Sequence, residues 1–188
     1  MNGEVYVRMS LVATLERAFP YSVAFGRGRA VLQFEKVLIE HGIHAALRFL
    51  NSRVRHRFTA VARFDPPVLR NLFVFDRRNA DVLFGGTSQE IESTYAALVQ
   101  RRKQAFRTDN ALRDSRLAFN ALRGTMQAYA GVPIRLVRSE LWGVLAHYDQ
   151  ETRVLPTGEL ELLQDAIPML VRWLKPHGVA LADAPAAL

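Results

Sequence analysis

The sequence predicts an α+β domain, an antiparallel sheet with helices packed on one or both faces. Three observations carry this reading. Arg57–Phe64 and Leu69–Asp76 alternate or run apolar at strand length, with a turn at Asp65-Pro66-Pro67 between them, which reads as an antiparallel hairpin. Thr125–Leu136 and Glu140–Asp149 form a second strand pair near the C-terminus. Segments of helical periodicity precede, separate and follow these strands, giving the order helix, two strands, helix, three strands, helix. Two hairpins rule out a regular βαβ repeat, so a layered antiparallel sheet is the simplest solution.

Each element has a local cause. Met9–Phe19 is a candidate short helix stopped by Pro20, and Gly26-Arg27-Gly28 reads as a flexible connection, too short for a dinucleotide-binding glycine motif. From Phe34 to about Asn51, Phe34, Val37, Leu38, Leu47 and Leu50 recur at helical spacing, with Gly42 a weak point costing about 1 kcal/mol relative to Ala. In the first strand, Phe58, Ala60, Ala62 and Phe64 alternate with Arg57, Thr59, Val61 and Arg63. Proline fixes φ and cannot donate to a ladder, so Pro66 and Pro67 force the turn. Ser88–Lys103 is a predicted helix. Ser88 is its N-cap, Glu90 and Glu92 fill the first turn, and Arg101, Arg102 and Lys103 the last. Its buried stripe is Ile91, Tyr95, Leu98 and Val99. Gln104–Thr108 is a short strand, and Asp109–Leu122 a polar loop with one helical turn. Gly131 and Pro133 suggest a bulge and a strand edge. Trp142, Val144, Ala146 and Tyr148 are expected to share one face of the last strand. The final helix follows Pro156, with Thr157 as cap and Pro168 expected to kink it.

Length and composition bound the function. At 188 residues the chain is one domain with extensions, large enough to fold without disulfides or metals. It has no cysteine, which excludes disulfides, thiolate nucleophiles, Cys-ligated zinc, iron–sulfur clusters and thioether-linked cofactors. The cofactor is otherwise open. The net charge is +7, carried by 22 arginines and only three lysines. That skew hints mildly at an anionic partner but names none. Met1–Ser10 contains no apolar core of a secretory signal, and no apolar run approaches the length of a membrane span. The expectation is a cytoplasmic protein with no membrane partner.

From Phe34 to Leu174 the chain resembles the GAF domain family, a widespread sensory module. The resemblance rests on Thr94-Tyr95-Ala96-Ala97-Leu98-Val99 and on Asp109–Arg116, similar to a short family loop of two aspartates and an arginine. It rests also on Tyr129-Ala130-Gly131-Val132-Pro133-Ile134, followed by Leu141-Trp142-Gly143-Val144-Leu145-Ala146-His147-Tyr148-Asp149, which resembles the family's closing strands. The resemblance implies a GAF-like (profilin-like) antiparallel sheet of five or six strands with helices on both faces. The implied division is an N-terminal extension over 1–33, a GAF-like domain over 34–175 and a C-terminal tail over 176–188. The Phe34–Asn51 and Thr157–Leu174 helices would cover one face, through which many members dimerise. The Ser88–Lys103 helix and the Asp109–Leu122 loop would cover the other, where members hold small molecules. The chain departs from its relatives at Ala96, Ala130 and Ala146, where they often carry cysteine. Free methionine sulfoxide reductase chemistry and cysteine-linked bilins are therefore excluded. No N-K-F-D-E cyclic-nucleotide signature is present. No output domain fits in the remaining residues, so the chain is expected to act through its own homodimer or an effector protein.

The candidate ligand-binding residues are Tyr95, Phe106, Asp109, Asp114, Arg116, Tyr129, Trp142 and Tyr148. The aromatics suit a pocket wall with polar tips, and equally suit plain core. Asp109, Asp114 and Arg116 could grip a polar ligand, but aspartates more often cap turns and pair with a nearby arginine. No catalytic or metal-ligating residue is assigned. His41 and His44 lie three apart on a helix but lack a third ligand. His147 and Asp149 lie on one strand face with no nucleophile motif to activate. Arg53, Arg55 and Arg57, with Arg101, Arg102, Lys103 and Arg107, read as solvated surface rather than a nucleic-acid face. Two functions remain: a non-enzymatic sensor that binds a small ligand, or a ligand-free protein- or nucleic-acid-docking scaffold.

Overall fold

The computed structural model describes residues 21–136 and 141–176. The candidate helix Met9–Phe19 lies outside them. The elements are α1 (Tyr21–Ser52), β1 (Phe58–Asp65), β2 (Val68–Asp76), β3 (Leu83–Phe84), β4 (Ser88–Glu90), α2 (Ala96–Arg102), β5 (Phe106–Thr108), β6 (Ala128–Arg135), β7 (Leu141–Asp149) and α3 (Glu159–Leu174). Single 3₁₀ turns fill several connections.

The strands form one antiparallel sheet in the order β3-β2-β1-β7-β6-β5, with β4 also pairing with β2. The expected hairpin is present, running from Phe58 opposite Asp76 to Asp65 opposite Val68. The chain then inserts β7 beside β1, so that these two strands occupy the centre with helices above and below. Their burial follows: β1 is buried at Thr59, Ala60, Val61 and Ala62 in succession rather than alternately. A strand covered on both faces loses the polar alternation of a half-exposed one.

One face carries α1 and α3. Phe34, Leu38, Leu47, Leu50, Leu163 and Leu170 meet Val61, Val132, Ile134 and Leu145 there. The long α1 lies along this face because it breaks at Gly42, whose φ of 76° only glycine adopts without cost. The Gly26–Gly28 segment, expected to be a connection, is part of α1. Its flanking apolar residues continue the periodicity, with Ala30 buried and Val31 packed against the same core. At the far end, Arg53 closes on Glu159 at 2.6 Å and ties the end of α1 to the start of α3. Gly158, with φ 87°, is the N-cap of α3, not Thr157.

The other face carries α2 and the 109–127 segment, over Ala62, Leu69, Val144 and Ala146. Here the expected Ser88–Lys103 helix is corrected. Ser88–Glu90 is a strand on the edge of β2, and Ile91 donates its backbone N–H to the Pro67 carbonyl. An unpaired sheet edge outcompetes a polar first helical turn for these backbone groups. The helix begins only at Ala96, although Ile91, Tyr95, Leu98 and Val99 are buried as their spacing predicts. Pro133 lies where β6 has run past β5, whose pairing ends at Gly131, so its missing N–H is not needed by β5. The irregularity of β6 is not at Gly131 but between Ile134 and Arg135, where the β6–β7 register steps over Trp142.

Candidate functional site

A cavity of about 120 Å³ lies between the sheet and its cover of α2 and the 109–127 segment. Its floor is made of small side chains. Ala60 and Ala62 come from β1, and Val144 and Ala146 from β7. The register sets Ala60 opposite Ala146 and Ala62 opposite Val144, which concentrates these short residues in one patch. Tyr129 of β6 and Tyr148 of β7 form the walls, with Leu69 and Asn71 from β2. The roof is Thr94, Tyr95 and Ala96 at the start of α2, with Leu122 and Met126 from the covering segment. Gln89 of β4 completes the rim.

The polar atoms of this shell are mostly committed. The Tyr95 hydroxyl donates to the Met126 carbonyl at 2.7 Å, and the Thr94 hydroxyl to the Ile91 carbonyl at 2.8 Å. Burial pushes the Tyr95 phenol up to about 12, so it remains a donor at every physiological pH. The Tyr129 hydroxyl is buried with no hydrogen-bond partner, and burial raises its pKa strongly. It lies over Gly131, where a Cβ would approach it to 2.3 Å. Glycine at that position is what leaves room for the phenol. Tyr95 meets Tyr129 edge-on, with ring centroids 5.8 Å apart.

The eight residues expected from the sequence divide among four places. Tyr95, Tyr129 and Tyr148 line the cavity. Phe106 stands behind it, packed on Tyr95 and Tyr129 with centroids at 6.5 and 6.1 Å, and is not part of the lining. Asp109, Asp114 and Arg116 lie apart from it in an open polar groove at 107–116. There Arg107 forks onto Asp109 at 2.7 and 3.0 Å, and Arg116 onto Asp114 at 2.6 and 2.8 Å. Asp114 also accepts the Arg116 backbone N–H as a turn cap, and Arg116 lies 4.6 Å over the Phe106 ring. The Arg116 hydrogen bonds hold the Asp114 carboxyl below the usual range. Burial pushes Asp109 up, but the bonds and charge of Arg107 outweigh it, so it too stays low. These charges are spent on each other.

Trp142 requires a correction. It was expected on the face of Val144, Ala146 and Tyr148, and it packs instead among the α1 and α3 side chains on the opposite face. The register shift between Ile134 and Arg135 inserts one residue at Trp142 and reverses the side-chain phase at that point. Spacing alone missed the alanine floor. The available signal was alanine at 60, 62 and 146 inside strands, where β-branched and aromatic residues are the usual occupants.

His147 faces away from the cavity. Its Nδ1 lies 2.8 Å from the Thr59 hydroxyl, which accepts from Asn51 Nδ2 at 2.9 Å. His56 lies beside it, 5.9 Å between ring centroids, with both ring nitrogens unpartnered. Burial lowers the His56 pKa to about 4 and that of His147 to about 3. No group of three or more metal-ligating side chains occurs among the described residues, and no helix among them is long and apolar enough to cross a membrane.

The geometry has counterparts among solved structures. The GAF domain of an Acinetobacter phosphoenolpyruvate-protein phosphotransferase is 14% identical, with TM-score 0.63, covering 82% of this chain and 95% of that one. The free methionine-R-sulfoxide reductase of Neisseria meningitidis, solved with its substrate, is 11% identical with TM-score 0.60, covering 79% and 88%. The phycocyanobilin-bound GAF domain of a cyanobacterial phytochrome is 13% identical with TM-score 0.58, covering 81% and 97%. At such identities the likeness is one of fold. No curated protein matches the chain. The sequence itself matches the GAF domain model over residues 29–168, and on that match, with the fold in agreement, the chain belongs to the GAF domain family.

Proposed function

We propose that this chain is a non-catalytic sensory or regulatory GAF domain, acting in the cytoplasm, that binds a small ligand and signals through a homodimer or a partner protein. The observation that supports it most is the cavity itself: an alanine floor under a roof built from a covering segment, with aromatic walls. A ligand that closes the roof shifts the chain toward the closed state by its differential affinity, and that shift is the signal. Leu32 and Ile39 support the dimer. They stand seven residues apart on α1 and are 67% and 71% exposed. A non-catalytic role is supported by the absence of cysteine and by the engagement of His147 with Thr59 behind the sheet. A thermal-shift screen of nucleotides, amino acids, haem and small anions tests the reading. A ligand at about 100 times its Kd adds about 2.7 kcal/mol, a rise of several degrees. Failure of every compound would favour the alternative, a ligand-free docking scaffold. That alternative has one observation of its own, the full exposure of Phe119 on the covering segment.

A further inference from the structure

We propose that the cavity selects a neutral, compact ligand: an apolar or aromatic body of about six to eight non-hydrogen atoms. The proposal rests on the ligand-binding reading above and narrows it to a chemical class.

Size comes first. A dry apolar cavity of about 150 Å³ accommodates benzene, and this one is about 120 Å³. A nucleotide or a tetrapyrrole would not be enclosed by a space of that volume. Charge is the second argument. The protein carries 22 arginines, yet none of the described residues lining the cavity is charged. Arg107 and Arg116 are turned onto Asp109 and Asp114. Arg123, next to the lining residue Leu122, donates to the carbonyls of Ala111 and Leu112 instead. An anionic or cationic ligand would therefore lose its hydration and gain no counter-charge, a cost that exceeds what burial of a small body returns.

Polarity is the third. Tyr95 and Thr94 have spent their hydroxyl protons on backbone carbonyls. Asn71 directs its amide nitrogen to the Thr87 hydroxyl at 3.0 Å. The Tyr129 hydroxyl lies fully buried over Gly131, beyond the reach of a guest in the cavity. The crossed rings of Tyr95 and Tyr129 offer an aromatic guest both a face and an edge. Met126, half-buried in the roof, adapts to its outline.

The test uses the full chain with ¹³C-labelled alanine methyls, titrated with phenol, toluene and benzoate and followed by NMR. Phenol is expected to give intermolecular contacts to the methyls of Ala60, Ala62, Ala96 and Ala146. Benzoate is expected to bind at least about tenfold more weakly than phenol at neutral pH. Toluene is expected to contact the same methyls. Benzoate or a nucleotide binding as tightly as phenol, with contacts to the same methyls, would overturn the neutral class and leave the cavity as the site. Phenol and toluene both failing to bind, while a compound of the wider screen contacts those methyls, would do the same. Phenol contacting only residues elsewhere would overturn both this proposal and the reading beneath it.

Discussion

Gly143 offers the sharpest perturbation of the sheet. It lies on β7 opposite Arg63 of β1, at a pairing between segments eighty residues apart in sequence. A Cβ built there falls 2.2 Å from the Ala62 carbonyl oxygen, 3.2 Å from its carbon and 3.3 Å from the Arg63 Cα. All three are backbone atoms of a central strand, clamped by β2 on its other side, so no rotamer can yield. Relief requires β1 and β7 to part by roughly an ångström, which stretches the ladder and opens both packed faces. Overpacking of this kind costs about 1–3 kcal/mol and sometimes more, and the backbone contact puts Gly143→Ala at about 3. For a chain of this length that is a fall in Tm of about 6–12 °C. Gly28→Ala is the control. It lies in α1 with nothing within 4 Å of an added Cβ, and should gain about 0.5–1 kcal/mol. Thermal and urea melts followed by circular dichroism give both values. A Gly143→Ala protein as stable as the parent would mean that β1 and β7 are not adjacent, and the fold as described would fail.

Other outcomes follow from the face behind the cavity and from α1. An unfolded histidine takes up a proton near pH 6.5, whereas native His56 refuses one until about 4, so between these values the unfolded state binds more protons and acidification favours it. The groups around it are Asp149, Asp109, Arg153 and Arg107, with the neutral His147 alongside. Stability should therefore fall by about 3 kcal/mol from His56 alone as pH drops from 6.5 toward 4, and urea midpoints that stay flat across that window would contradict its burial. Asn51 donates to the His56 carbonyl and the Thr59 hydroxyl and accepts from Arg77 Nε at 3.0 Å. Asn51→Ala strands those partners and should cost about 2–3 kcal/mol in the same melts, with a near-neutral result refuting the network. If α1 is the dimer face, Leu32→Glu with Ile39→Glu should convert a dimer to a folded monomer in light scattering, with the circular dichroism of the parent. An unchanged dimer would place the interface elsewhere.

The strands were the most legible part of the sequence because their signals are local. Pro66 and Pro67 between two strand-like runs fix a hairpin without reference to anything distant, and the last strand declares itself in the same way. The start of α2 was illegible because Ser88–Glu90 has the composition of a helical first turn. Only the open edge of β2, supplied by residues twenty positions earlier, turns it into a strand. Gly26 and Gly28 misled in the opposite direction, since tertiary packing of Ala30 and Phe34 carries the helix through two poor helix formers. For the site, residue chemistry identified the tyrosines but not their setting. A single inserted position at Trp142 moved that side chain to the far face, and strand periodicity carries no mark of a register shift. The floor of the cavity was hidden for another reason. Ala60, Ala62 and Ala146 contribute by what they lack, and space is visible only when β1 and β7 are laid side by side.

A xenon-derivatised crystal measures the central claim most directly, since xenon reports dry apolar space without presuming a ligand. Bound xenon between the methyls of Ala60, Ala62 and Ala146 and the ring of Tyr95 is the predicted result. Leu122 or Met126 folded down into that space, with no xenon there, would contradict it.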